Sequence, residues 1–480
     1  MENNNNMNRR DFLRVSGLST IALTLGTTGL FSLSGQAKTL PQGRANNPTS
    51  VFGGYGPLVK DPNGILDLPQ GFQYKIVSRT GDKLSNGAPI PGAMDGMAAF
   101  QGKHNTTVLV RNHEQALDAK YPVYGSNPFN SMVAGGTTAL IVGPNREVIK
   151  EYVTNSGTAV NCAGGASTWG TWLTCEEVEY NDGVMEHGFV FEVDPADPEN
   201  QMSKTPIRDM GFFSHEACSV DPATGIWYLT EDARPISFLY RFTPNDRSQK
   251  LGSLQKGGKL EAAAIDVLPH SAASNFINGQ KFGIVWKEVN SEDAHQSALK
   301  QGCIQFRRLE GACFSAGVFW FDDTTARRVY RYFPSTNTLE LFYESSDDND
   351  LKSPDNITIT PWGDLWIAED GSGHDRVIGL TPEGNVYPFA YNRWNDSEFA
   401  GPCFSPDGKT FFVNIQEPGI TLAIWGPFAR RNAARQVVMG HAAPPAHFAP
   451  KISNKLAEFA EQNGMSPLAA AVLDRHGVNI

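Results

Sequence analysis

Between residues 61 and 428 the hydrophobic positions fall in short runs, with little of the helical stripe of period 3.6. The runs are bounded by turn signals such as Asp221-Pro-Ala-Thr-Gly225, Pro361-Trp-Gly363, Thr381-Pro-Glu-Gly384 and Ser405-Pro-Asp-Gly408. Such a pattern predicts short strands joined by tight turns. Six stretches also align with one another. Residues 95–100 lead to 108–114, 161–167 to 171–177, 215–220 to 226–232, 310–315 to 318–323, 355–360 to 365–370, and 399–405 to 410–416. Each starts with a polar residue among small ones. Each then turns into a strand of large apolar residues that ends in a carboxylate or an amide.

Self-similarity at long period, with several strands per unit, predicts an all-β, six-bladed β-propeller. The polar leads stand at 95, 161, 216, 310, 355 and about 400. The last two intervals have the size of one four-stranded blade, and the longer ones leave room for insertions between blades. Small residues suit the innermost strands, where the channel is tight, and large apolar residues suit the wider layers between blades. Six blades would aim the leads at one point. Turn capping alone explains a single acidic strand end, but across six copies it would use Asn, Ser and Gly as readily as Glu.

Lys and Arg number 40 against 51 Asp and Glu, a net charge of −11. That balance argues against a nucleic-acid partner, which would need a basic stripe. It suits a protein that gathers cations on clustered carboxylates. Aromatic residues at 10% and 47 glycines agree with a β-rich fold and exclude a disordered chain. The six cysteines include no CxxC pair, so a zinc ribbon or thioredoxin-like motif is excluded.

The first residues read as an address. Asn8-Arg9-Arg10-Asp11-Phe12-Leu13-Arg14 is a twin-arginine export pattern, followed by an uncharged stretch to Ala37. Residues 1–37 are expected to be a signal peptide handled by the twin-arginine machinery. The alternative is an uncleaved anchor, since the stretch is long enough to span a bilayer. No later window is apolar enough to span, so the mature chain is expected in the periplasm or secreted. The propeller would occupy 38–428. A tail, 429–480, is expected to add two short helices, 455–462 and 468–475, with Ser466-Pro467 as a cap and Gly477 as a stop.

The candidate chemistry is a ring of acids: Asp95, Glu114, Glu176, Glu177, Glu216, Glu231, Asp232, Glu310, Asp322, Asp355, Glu369 and Asp370. Like charges this close cannot all stay ionised without cations. Oxygen donors select calcium or another hard cation. A thiolate among them points to a transition metal, iron or zinc. Cys175 stands at the acidic end of its strand and is the expected ligand, whereas Cys162, Cys218, Cys313 and Cys403 read as equivalent packing residues. His113 and His215 adjoin Glu114 and Glu216; His104, His187, His270, His295 and His374 read as surface or loop residues. Arg308 lies two residues before Glu310, on the same face of a strand. An arginine aimed at a metal cluster makes sense if an anion such as phosphate bridges the two.

These motifs resemble the PhoX-type alkaline phosphatases. The resemblance is carried by residues 56–69, Arg111-Asn-His-Glu114, Gly136-Thr-Thr138, Thr168-Trp-Gly-Thr-Trp-Leu-Thr-Cys-Glu-Glu177, His215-Glu216, Arg308-Leu-Glu-Gly311, Ser353-Pro-Asp-Asn356, Ala368-Glu-Asp-Gly371 and Ala400-Gly-Pro402. It implies a propeller that hydrolyses phosphate monoesters with two ferric ions and calcium. By resemblance, Cys175, Glu216 and Glu310 would ligate iron, and Arg308 would contact the substrate phosphate. Asn112, Glu114, Glu176, Asp355 and Glu369 would complete the iron and calcium shells, and Asn356 and Arg376 would assist at the phosphate. Two other readings are a calcium-dependent propeller lactonase, which would not need a thiolate and Arg308 together, and a non-enzymatic propeller scaffold, which would not need aimed acids in all but one copy.

Overall fold

The computed structural model describes residues 54–428 apart from 116–118, 182, 184 and 348–349. The expected signal peptide and the two expected tail helices lie outside the described residues. Six antiparallel sheets are arranged as the blades of a β-propeller. Their innermost strands are Met94–Gln101, Asn161–Ala166, His215–Val220, Leu309–Ser315, Pro354–Ile359 and Phe399–Phe404. Each begins at or one residue before the lead position read from the sequence. Each pairs with the second strand of its own blade: Thr107–His113, Trp172–Glu176, Trp227–Glu231, Val318–Asp323, Leu365–Glu369 and Phe411–Ile415.

The blades differ outside this shared hairpin. Blade 6 is completed by the early strand Gln73–Arg79, which pairs with Ile420–Trp425 and closes the ring. Blade 5 takes Leu66–Pro69 onto its outer edge. The long interval before blade 4 holds the outer strands Lys281–Gly283 and Val285–Glu288 and the helix Ala294–Gln301. That helix turns Ala294 and Ala298, one turn apart, into the core and stops at Gly302 in the left-handed conformation, φ 70°. It was not foreseen, because eight residues are too few to show a helical period against strands on both sides.

Adjacent innermost strands approach so closely that side chains have no room. A Cβ added to Gly311 would lie 2.2 Å from the carbonyl oxygen of Asp355, and one on Gly165 would lie 1.9 Å from that of Cys218. The wider layers are filled by large side chains. Between blades 5 and 6, Trp366, Phe389, Phe399 and Phe411 are fully buried.

Candidate active site

Every innermost strand carries a register shift against its partner just after its first residues. Such a bulge inserts one residue and re-aims the side chains beside it. As a result, the second residue of each innermost strand faces the channel mouth. Around the six blades these are Asp95, Cys162, Glu216, Glu310, Asp355 and Ala400. A second ring comes from the residue that follows each second strand: Glu114, Glu177, Asp232, Thr324, Asp370 and Gln416.

Three groups of ligand atoms converge in these rings: Cys162 with Glu177 and Glu216, Glu216 with Glu310 and Asp355, and Asp95 with Glu114 and Glu398. Within each group the atoms lie within 4.8 Å of one another. Glu216 belongs to two of them. Gln416 donates to Asp95 Oδ2 at 2.7 Å and to Glu114 Oε2 at 2.6 Å, while Asp95 Oδ1 is buried with no partner. Asn356 donates to Asp355 Oδ1 at 3.0 Å and, at 3.4 Å, to Glu216 Oε1. Its own Oδ1 accepts from the Gly401 amide at 2.7 Å.

Burial, and then repulsion among neighbouring acids, pushes the carboxyls of Asp95, Glu177, Glu216, Glu310, Asp355 and Glu398 well above the ordinary range. Burial, then Glu216 and Glu177, raises the Cys162 thiol likewise. Seen from Arg308, burial opposes the charge, but Glu310 and Asp232 outweigh it and keep the guanidinium ionised. A funnel of crowded acids with an orphaned carboxylate oxygen is a donor set that cations fit.

Several expected site residues lie elsewhere. Glu176 ends its strand one residue before the ring and accepts four hydrogen bonds, from the amides of Ala159, Gly188 and Phe189 and from His187 Nδ1 at 2.7 Å. His187 is therefore a buried partner of Glu176, in contrast to the surface position expected for it. Glu369 occupies the same place in blade 5, where it accepts from the Lys352 amide and from the Arg376 side chain at 2.6 and 2.7 Å. Arg376 thus spends its fork on Glu369. Both acids pin the loop after their strand and neither belongs to a convergent group.

Asn112 uses its whole amide between blades 1 and 2. It donates to the carbonyls of Cys162 and Ala163 and accepts from Trp172 Nε1 and Thr174 Oγ1. Cys175 is fully buried in the second strand of blade 2, in the same apolar cluster as Cys218, and is absent from the three groups. The four cysteines read as equivalent are not. Cys218 pairs with Leu229, Cys313 with Trp320 and Cys403 with Phe412, whereas Cys162 precedes the bulge and faces the mouth. His215 turns to Phe213, ring centroids 3.6 Å apart, and donates to the Gly211 carbonyl. His113 bonds Gly92 and Thr138 inside blade 1.

The sequence places Glu177 and Asp232 in the ring of acids without a ligand role, and it points to Cys162, Glu398 and Gln416 for no part of the site. The signal for Glu177 and Asp232 was present: each is the second acid of a doublet, and the second one clears the strand end. Glu398 stands immediately before an innermost strand, as Arg308 does in blade 4.

Among solved structures the chain is similar to PhoX from Pseudomonas fluorescens in complex with vanadate, a transition-state analogue, at 18% identity, TM-score 0.59, covering 77% of this chain and 97% of that one. Likeness is lower to regucalcin, a calcium-binding protein from Agrobacterium tumefaciens (12% identity, TM-score 0.40, 74% and 96% covered), and to a gluconolactonase from Xanthomonas campestris (12%, 0.36, 74% and 100%). No curated protein matches at a significant level. The family model described as alkaline phosphatase PhoX matches residues 53–142 and 118–419, which takes in both rings and every blade strand except Ile420–Trp425 of blade 6. With all but the last strand of the propeller inside that match, the chain belongs to the PhoX family of alkaline phosphatases.

Proposed function

We propose that this phosphatase is a metal-dependent phosphomonoesterase that releases inorganic phosphate from organic esters outside the cytoplasm, after export by the twin-arginine machinery. The observation that carries metal dependence is the convergence of three ligand groups at the channel mouth, two of them with members beside the Arg308 guanidinium. Iron is assigned to the group that mixes a thiol with carboxylates, Cys162, Glu177 and Glu216, because a soft donor among hard ones selects a transition metal. Sharing of Glu216 with Glu310 and Asp355 supports a second ion beside it, in line with the two ferric ions implied by resemblance. Calcium is assigned to the all-oxygen group Asp95, Glu114 and Glu398.

Bound metals would act as Lewis acids that withdraw charge from the phosphoryl oxygens. Arg308 would neutralise charge that develops on the transferring group. Asn356 would hold the Glu216 and Asp355 carboxylates as acceptors turned toward the mouth. Glu176, Glu369, Arg376 and Asn112 would serve the site by fixing the loops and blades that carry it.

The test is elemental analysis together with hydrolysis of an aryl phosphate, on protein purified without added metal. Wild-type protein is expected to contain iron and calcium and to hydrolyse the ester. Cys162→Ser should lose iron and activity, and Cys175→Ser should keep both with a modest loss of stability, about 1 kcal/mol for a packing change. An iron-free preparation with full activity would overturn the iron assignment. Retention of iron by Cys162→Ser with loss in Cys175→Ser would return the sulfur ligand to Cys175.

A further inference from the structure

Arg308 precedes the innermost strand of blade 4, and its guanidinium has five donor hydrogens in a rigid fork. Asp232, which follows the second strand of blade 3, takes one edge of that fork. Nε donates to Asp232 Oδ1 at 2.8 Å and Nη2 to Asp232 Oδ2 at 2.5 Å. Nη2 also lies 2.6 Å from Glu310 Oε1. No described residue hydrogen-bonds to Nη1. Asp232 is 8% exposed, Arg308 16%. Asp232 belongs to none of the convergent ligand groups.

A two-point grip on the Nε–Nη2 edge does two things that a single contact cannot. It fixes the rotation of the guanidinium plane, and with Glu310 on the second hydrogen of Nη2 it leaves Nη1 as the uncommitted end of the fork. It also compensates the arginine charge at close range. An uncompensated cation would be repelled from a mouth filled with metal ions; a cation so paired can stay.

We infer that Asp232 is a positioning residue: it orients the Nη1 end of Arg308 toward the phosphoryl group and holds it beside the metals. This rests on the phosphatase reading above, and it is chemistry of the second ring, where blade 4 offers only Thr324 and blade 6 only Gln416. It also narrows what the sequence spacing suggested for Arg308, since Nε and Nη2 are spent on Asp232 and Glu310 and Nη1 is what remains for an anion.

The experiment uses Asp232→Asn, which keeps the shape but loses the charge and one acceptor, and Asp232→Glu, which keeps the carboxylate. In metal-loaded enzyme, Asp232→Asn is expected to lower kcat for an aryl phosphate by about 10- to 100-fold, the scale for a misplaced catalytic group. Inorganic phosphate should inhibit it more weakly, with metal content unchanged. Asp232→Glu should recover part of the loss. In an Arg308→Ala background, Asp232→Asn should cost almost nothing more, because the group it positions is gone. A crystal structure of the Asn variant should show the guanidinium turned out of its wild-type plane. Equal losses in the two backgrounds, or an unmoved guanidinium in the variant crystal, would overturn the proposal. If wild-type enzyme hydrolyses no phosphomonoester, the phosphatase reading falls on its own, and the crystal comparison still decides whether Asp232 sets the arginine.

Discussion

Asp322 is fully buried in the second strand of blade 4, and among the described residues neither of its carboxylate oxygens has a hydrogen-bond partner. Its neighbours in the ring explain what the position is for. At the equivalent place Asn112 donates to the Cys162 carbonyl, Thr230 to the Glu310 carbonyl at 2.5 Å and Asn414 to the Asp95 carbonyl at 2.6 Å. These side chains stitch each blade to the main chain of the next. An ionised carboxylate cannot donate, so Asp322 fits only when protonated, and burial, then Asp355, raises its carboxyl well above the ordinary range. A raised folded-state value gives stability that is present below the unfolded value and lost as pH rises through the folded one. Asp322→Asn is therefore expected to be more stable than wild type at about pH 8, by roughly 1–3 kcal/mol, the cost of an unsatisfied buried group. The gain should shrink toward about pH 4. Thermal melts of metal-free protein at both pH values check this, and a variant less stable at alkaline pH would show that the carboxyl has a use of its own.

At the scale of the strand, pairings were legible and side-chain facing was not. Turn residues and apolar runs mark where each hairpin starts and ends, so the six copies fall on the six blades. The direction of the acids depends on one inserted residue per innermost strand, and a shift of one residue moves a side chain to the other face. Glu176 and Glu177 are adjacent, yet one pins a loop and the other enters a ligand group. The same inserted residue brings Cys162, and not Cys175, into a convergent group. The sequence shows a bulge only as small residues, and small residues were already accounted for by the tight channel.

The helix Ala294–Gln301 shows the same limit and offers a test. His295 donates from Nδ1 to Glu231 Oε1 at 2.8 Å, tying the helix to the strand end that carries Asp232. Burial lowers the His295 value, but the Glu231 bond and charge outweigh it, so the net shift is upward. The tie thus contributes fully below the ordinary histidine value and fades as pH rises through the raised one. His295→Gln should cost on the order of 1 kcal/mol at about pH 6, discounted for partial exposure. The gap in melting temperature from wild type should close at about pH 9.5. A gap that does not vary with pH would mean that His295 contributes by packing alone.

For the whole molecule, the question is what keeps six wedges in a closed ring. The seam lies between blades 6 and 1, where the strand Gln73–Arg79 has already been lent to the last blade. A buried ion pair of blade 1 faces it, Glu151 lying on that blade's outer strand Val148–Thr158. Arg111 of blade 1 reaches Glu151 Oε1 at 2.8 Å, with side-chain exposures of 0% and 5%. The same arginine donates to Thr421 of blade 6 at 2.6 Å, and the closing strand's Ser78 donates to Glu151 Oε1 at 2.7 Å. One pair therefore joins three segments distant in sequence. Desolvation makes such a pair a weak source of net stability, but removing one member leaves the other charged and stranded. Glu151→Ala is expected to destabilise the fold by about 3–5 kcal/mol, measured by denaturant unfolding. Replacing both partners, as Arg111→Met with Glu151→Leu, should recover most of that loss, because apolar side chains of similar volume fill the seam without a stranded charge. If the double variant is as unstable as the single one, the seam depends on the polar links to Thr421 and Ser78 themselves. If Glu151→Ala costs less than about 1 kcal/mol, the ring is closed by the backbone pairing of the lent strand, and the ion pair is incidental to it.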